Sequence, residues 1–145
     1  MYAVTNTGLG DKVSAENIAE VRRGLLLHDR CFGLGRHLVL FTKPRKLLSR
    51  IKAALEGMDR PYRMDLVEYY DEGLFHGFFN GTDVLFRKRR RFEAQREYRV
   101  AVGHALEMPG PFTLDVGDLS DIAMLTTPER FNESLRLELP DGTWA

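Results

Sequence analysis

The chain has 145 residues, 21 Lys+Arg against 21 Asp+Glu, a single Cys and 43% hydrophobic residues. That length suits one domain and buries about two-thirds of its unfolded surface, so folding needs no disulfide or metal staple. Cys31 has no internal partner, no His or carboxylate cluster has zinc-finger spacing, and no apolar run is long enough to span a bilayer. The opening Met1-Tyr2-Ala3-Val4-Thr5 lacks the basic-then-apolar pattern of a secretory signal, so the expectation is a soluble, globular, cytoplasmic protein without a membrane partner.

Residues 1 to 12 show no clear period. Ser14-Ala15-Glu16-Asn17 is a cap for a short helix with Ile18 and Val21 on one face, interrupted at Gly24. His37 to Phe41 is an apolar run of strand length. Thr42 is then an N-cap candidate, Pro44 fits the first turn, and Leu47, Leu48, Ile51, Ala54 and Leu55 recur at helical spacing up to Gly57. The helix predicted over about 43 to 56 carries a basic face of Lys43, Arg45, Lys46, Arg50 and Lys52.

Tyr62 to Tyr70 alternates as a strand and stops at Asp71-Glu72-Gly73. Leu74 to Phe79 is aromatic-rich and ambiguous, with Phe75, Phe78 and Phe79 expected in the core or, in part, lining a partner site. Asn80-Gly81 signals a turn. Strands are expected at Thr82 to Lys88, Tyr98 to Val102, Phe112 to Val116 and Asp121 to Leu125. Thr126-Thr127-Pro128-Glu129 reads as a capping box opening a short helix to about residue 134, and Leu135 to Leu139 alternates as a half-buried strand. With no repeat or linker, the fold class is a single α+β domain over 1–145, mostly antiparallel sheet with few helices.

The zero net charge is an average over an uneven distribution. Residues 86 to 99, Phe-Arg-Lys-Arg-Arg-Arg-Phe-Glu-Ala-Gln-Arg-Glu-Tyr-Arg, hold seven Lys/Arg and two Glu, a local +5. The other 131 residues then carry 14 positive and 19 negative charges, or −5. Such a field is local and steers an anion to Arg87, Lys88, Arg89, Arg90, Arg91, Arg96 and Arg99. Phe86, Phe92 and Tyr98 interleave with these cations, a pattern suited to base stacking beside phosphate pairing and equally to alternating core positions. The segment could instead be a solvated strand whose cations blunt a sheet edge.

Within that segment, alternation into the Tyr98 strand places Gln95 and Glu97 on one face and Arg96 and Tyr98 on the other. A carboxylate there could accept a hydrogen bond from a ribose hydroxyl or face an oxocarbenium-like centre, with the cations holding a pyrophosphate or phosphodiester. The plain alternative is a surface pair of Glu97 with Arg91, Arg96 or Arg99, worth only ~0–1 kcal/mol.

Gln95-Arg96-Glu97, the following β-rich stretch, the loop from Gly103 to Gly110 and Phe112 to Val116 resemble the C-terminal part of the ADP-ribosyltransferase superfamily. The resemblance covers residues 95–116. It implies a split antiparallel sheet that binds NAD and cleaves its nicotinamide–ribose bond. Glu97 would be the catalytic acidic residue on the ribose 2′-hydroxyl, and Gln95 would help recognise the acceptor. Arg23 and His37 are the nominal counterparts of that family's early-strand Arg or His, and its mid-chain Ser-Thr-Ser-type motif is absent. The pattern of Lys88, Phe92 and Gln95 to Arg99 is also similar to small uncharacterised bacterial and phage proteins.

The remaining motifs point to local structure. His28, His37, His76 and His104 share no metal-ligating spacing, and Gly33-Leu34-Gly35 lacks the context of a phosphate loop. Asp115, Asp118 and Asp121 flank Gly117 without the length of an EF-hand loop, so turn and capping roles are expected. Two functions follow. One is a small interaction protein offering residues 86–99 to an acidic protein or nucleic-acid-containing partner, of which a phage or mobile-element inhibitor of a host complex is one example. The other is an ADP-ribosyltransferase-like enzyme using NAD.

Overall fold

A computed structural model describes residues 1–3, 13–58, 60–103 and 111–145. The element order is α1 (Ile18–Leu25), β1 (Leu38–Phe41), α2 (Pro44–Glu56), β2 (Tyr62–Leu66), β3 (Glu68–Tyr70), β4 (Arg87–Arg89), β5 (Tyr98–Val102), β6 (Ala123–Thr126) and α3 (Pro128–Ser134). Short 3-10 segments cover Asp29–Leu34, Gly81–Phe86 and Arg90–Gln95. This is an α+β fold built on three two-stranded ladders: β1–β6 and β2–β5 antiparallel, β3–β4 parallel. No described helix is long and apolar enough to cross a membrane.

Helix α2 forms where its period predicts. Leu47 and Leu55 are buried on its inner face, and Leu55 is fully enclosed. Its basic face is partly matched by the loop before β6. Lys46 and Arg50 both pair with Asp121, and Arg50 also donates to the Asp118 carbonyl. Thr42 does not cap this helix; its hydroxyl donates to the Ile122 carbonyl at 3.3 Å, joining β1 to β6, and Lys43 takes the N-cap position. Asp115 and Asp118 accept from the amides of Gly117 and Ser120, each at 2.9 Å, which is the turn chemistry expected of them.

Helix α1 buries Ile18 and Val21 and is fastened to α3. The Asn132 side-chain amide bonds both the Leu27 N–H (2.8 Å) and the Leu27 carbonyl (2.9 Å), and Arg22 Nε donates to the Leu135 carbonyl at 2.8 Å. The cap of α3 is Thr127, one residue later than the capping box suggests; its hydroxyl accepts from the Arg130 N–H at 3.2 Å. Thr127→Ala should therefore cost about 1 kcal/mol, measurable by urea unfolding, whereas Thr126→Ala should cost less.

Several predicted strands are corrected. Tyr62 to Tyr70 is two strands that break at Val67, whose side chain is buried and whose N–H donates to the Glu97 carbonyl at 2.8 Å. Of the strand expected at Thr82 to Lys88, only Arg87 and Lys88 lie in a strand, β4; Thr82 to Phe86 belong to the 3-10 segment before it. In a 3-10 segment residues i and i+3 share a side, so Asp83 and Phe86 both meet Arg63: Asp83 through an ion pair at 2.8 Å, Phe86 through its ring 4.4 Å beneath the guanidinium. Phe112 to Val116 alternates but finds no partner strand among the described residues and stays irregular. Asp121 to Leu125 shifts to β6 at Ala123–Thr126. Leu135 to Leu139 makes only an isolated bridge, Glu138 with Trp144, and no regular strand. It turns at Gly142 (φ +84°) and pairs back on the chain end through Leu139 with Thr143 and Leu137 with Ala145.

The aromatic cluster also divides. Phe75 and Phe79 stack at 4.4 Å, with Tyr70 edge-on at 5.0 Å from Phe79, but Phe78 is 95% exposed. Of the loop that carries the resemblance, residues 104–110, including His104, lie outside the described residues.

Candidate functional site

The basic segment wraps a corner rather than running along one strand. Arg87 to Arg89 form β4, Arg90 to Gln95 turn as a 3-10 segment, and the chain re-enters the sheet at Glu97. Arg96 makes that re-entry in the left-handed region (φ +38°), the only described non-glycine residue with positive φ. A residue with a Cβ resists this conformation, so neighbouring bonds must hold it. The Arg96 guanidinium donates to the Gly24 carbonyl, and its own carbonyl accepts from the Ala3 N–H at 2.7 Å.

The left-handed residue also changes the face argument, since regular alternation begins only at Glu97. Gln95 and Glu97 nevertheless meet, because Lys88 reaches both. Lys88 Nζ donates to Gln95 Oε1 and, at 3.0 Å, to Glu97 Oε2. Arg99 closes the other side, with Nε to Glu97 Oε1 at 2.6 Å and Nη2 to Oε2 at 3.1 Å. The Glu97 backbone is fixed as firmly: its N–H donates to Tyr69 Oη at 2.9 Å and its carbonyl accepts from Val67.

These donors set the charge state. The Arg99 hydrogen bonds, reinforced by Lys88 and opposed by partial burial, hold the Glu97 carboxyl down at about 2. At neutral pH Glu97 is thus a fixed anion, able to accept a hydrogen bond and unable to shuttle a proton. Cys31 is buried with Sγ donating to the Ala94 carbonyl at 3.3 Å, and burial pushes its thiol up, away from a reactive thiolate.

The seven cations of the segment fall into two groups. Arg87 pairs with Glu68 beside β3, Lys88 and Arg99 hold Glu97, and Arg96 holds Gly24. Arg89, Arg90 and Arg91 project outward from the corner. Arg90 has its side chain 65% exposed and makes only long contacts, 3.6 Å to Asp71 and 3.7 Å to Glu93. Arg89 and Arg91 form no ion pair among the described residues, and Arg91 lies over the Phe92 ring at 4.9 Å. Phe92 also receives Lys88 at 5.1 Å, while Phe86 is buried, so neither offers an open stacking face.

Two concavities flank Glu97. One, of about 290 Å³, is lined by Gln95 and Glu97 together with Tyr2, Cys31 and His37. The other, of about 510 Å³, is lined by Arg90, Arg91, Arg96 and Glu97 with Tyr69 and Arg30. Tyr2, Arg30 and Tyr69 carried no signal in the sequence; each enters from a distant stretch of chain. No group of His, Cys, Asp or Glu among the described residues could hold a metal ion. Comparison with known proteins finds no matching family model, no matching curated protein and no matching solved structure.

Proposed function

We propose that the protein is a small interaction module that presents the corner formed by Arg89, Arg90 and Arg91 to a polyanionic partner, an acidic protein surface or a nucleic acid. The observation that carries this reading is the division of the basic segment. Four of its cations are engaged by internal carboxylates and carbonyls, and three consecutive arginines are exposed with long ion pairs or none among the described residues. A segment serving only to fold the chain has no need of three outward guanidinium groups, which suit forked recognition of carboxylates and phosphates. The test is binding of a single-stranded oligonucleotide and of poly-glutamate to the wild type and to the triple Arg→Glu variant at these positions. Binding of either probe that the variant retains in full at low salt would overturn the proposal.

A second reading, an ADP-ribosyltransferase-like enzyme, draws on the cavity whose lining includes His37, Gln95 and Glu97. Glu97 would be the catalytic acidic residue and NAD the substrate. Against it, both Glu97 oxygens already face Arg99 and Lys88. NAD cleavage abolished by Glu97→Gln would establish it. Absence of NAD binding at millimolar concentration would remove it.

A further inference from the structure

The arginine corner has an inner side, and there the chain supplies a cation that the basic segment does not contain. Arg30, on the 3-10 segment Asp29–Leu34, lines the 510 Å³ concavity together with Arg91 and Arg96, and its side chain forms no ion pair among the described residues. Neighbouring His28 accepts the Arg30 N–H on Nδ1 at 3.2 Å, which leaves its Nε2 as a donor on the same rim. The lining also has an apolar part: Leu66, 42% exposed, with Val67 and Tyr69. Two carboxylates belong to the lining. Glu97 is neutralised from behind by Arg99 and Lys88, and Glu93 contacts Arg90 at 3.7 Å. Four arginines against these two glutamates leave the lining net cationic, with Leu66, Val67 and Tyr69 as its apolar part.

Resting on the reading that this corner binds polyanions, we propose that the concavity takes one nucleotide unit, its phosphate on Arg30 and Arg91 and its base against Leu66 and Tyr69. The volume falls within the range of small-ligand sites, and a lining that joins cations to apolar and aromatic groups is the complement of a phosphorylated, flat heterocycle. An acidic protein side chain would use the cations and leave the apolar groups uncovered. The unit can be a free nucleotide or one residue of a polynucleotide, since both present the same group.

The experiment titrates the full chain with adenosine 5′-monophosphate, adenosine and a 5′-phosphorylated oligonucleotide, following backbone amides by NMR. Adenosine 5′-monophosphate should shift the amides around Arg30, Val67 and Ala94, and Arg30→Ala should weaken its binding about ten-fold or more. Adenosine alone should bind at least as weakly as the nucleotide binds the variant. Arg30 dependence of the oligonucleotide as well assigns the site to a polymer unit, and dependence of the mononucleotide alone assigns it to a free nucleotide. No nucleotide binding at millimolar concentration, or binding indifferent to Arg30→Ala, overturns the inference. The corner itself is read separately, by the effect of Arg89→Glu on the oligonucleotide, because Arg89 does not line the concavity.

Discussion

Reversing Arg89, Arg90 and Arg91 to glutamate is expected to cut polyanion affinity steeply at low salt and to flatten its dependence on ionic strength. Each phosphate neutralised by an arginine releases condensed counterions and contributes about −0.7 to −0.9 to the slope of log affinity against log salt. Three such contacts give a slope near −2 to −2.7, so raising salt from about 50 to about 200 mM should weaken wild-type binding by roughly twenty- to forty-fold. The triple variant replaces three cations by three anions and should lose that slope together with most of the affinity. Stability should change little, because Arg89 and Arg91 form no ion pair among the described residues and Arg90 has only its long contacts to Asp71 and Glu93. Fluorescence anisotropy across a salt series checks both quantities. Affinity that falls without a change in slope would point to lost packing in place of lost charge.

Glu97→Gln is expected to destabilise the protein by about 2–3 kcal/mol, because it removes the counter-charge from two half-buried cations at once. Lys88 and Arg99 have side-chain exposures of 25% and 32%, and Glu97 itself 21%. A glutamine keeps the shape and offers one acceptor where three charge-assisted bonds stood. Thermal melting should record a drop on the order of 10 °C. The substitution Lys88→Met in the same chain should restore part of the loss, since the pair interact directly.

The same carboxylate makes a pH prediction. Its folded pKa of about 2 lies below the ordinary 4.5, so the unfolded chain binds the proton first as pH falls. The stabilisation is therefore complete above about 4.5 and is lost progressively between 4.5 and 2. A melting-temperature profile should show that acid slope in the wild type and a shallower one in Glu97→Gln. Equal slopes would mean that other carboxylates dominate acid unfolding.

Local features were legible in the sequence wherever a short stretch of chain contains its own physical cause. Helix α2 follows from apolar residues at helical spacing behind a first-turn proline, β5 from its β-rich run, and the turn roles of Asp115 and Asp118 from side chains that reach amides two residues on. The concentration of cations between residues 86 and 99 is likewise a property of the chain alone. Tertiary structure decided which of those cations remain outward. Arg87 and Arg96 carry the same charge as Arg89 to Arg91, but a carboxylate or carbonyl from elsewhere in the fold meets them, Glu68 for Arg87 and Gly24, 72 residues away, for Arg96; Lys88 and Arg99 close on Glu97, which Tyr69 fixes from 28 residues away. Alternation failed at residues 82 to 86 and 112 to 116 for the same reason. Period 2 specifies a strand only when a second strand is there to pair, and the partner's presence is a three-dimensional fact. Residue order placed the charge in one segment; long-range contacts divided it into cations held by carboxylates and carbonyls and cations that face outward, and set Arg30 in the lining that Arg90 and Arg91 share.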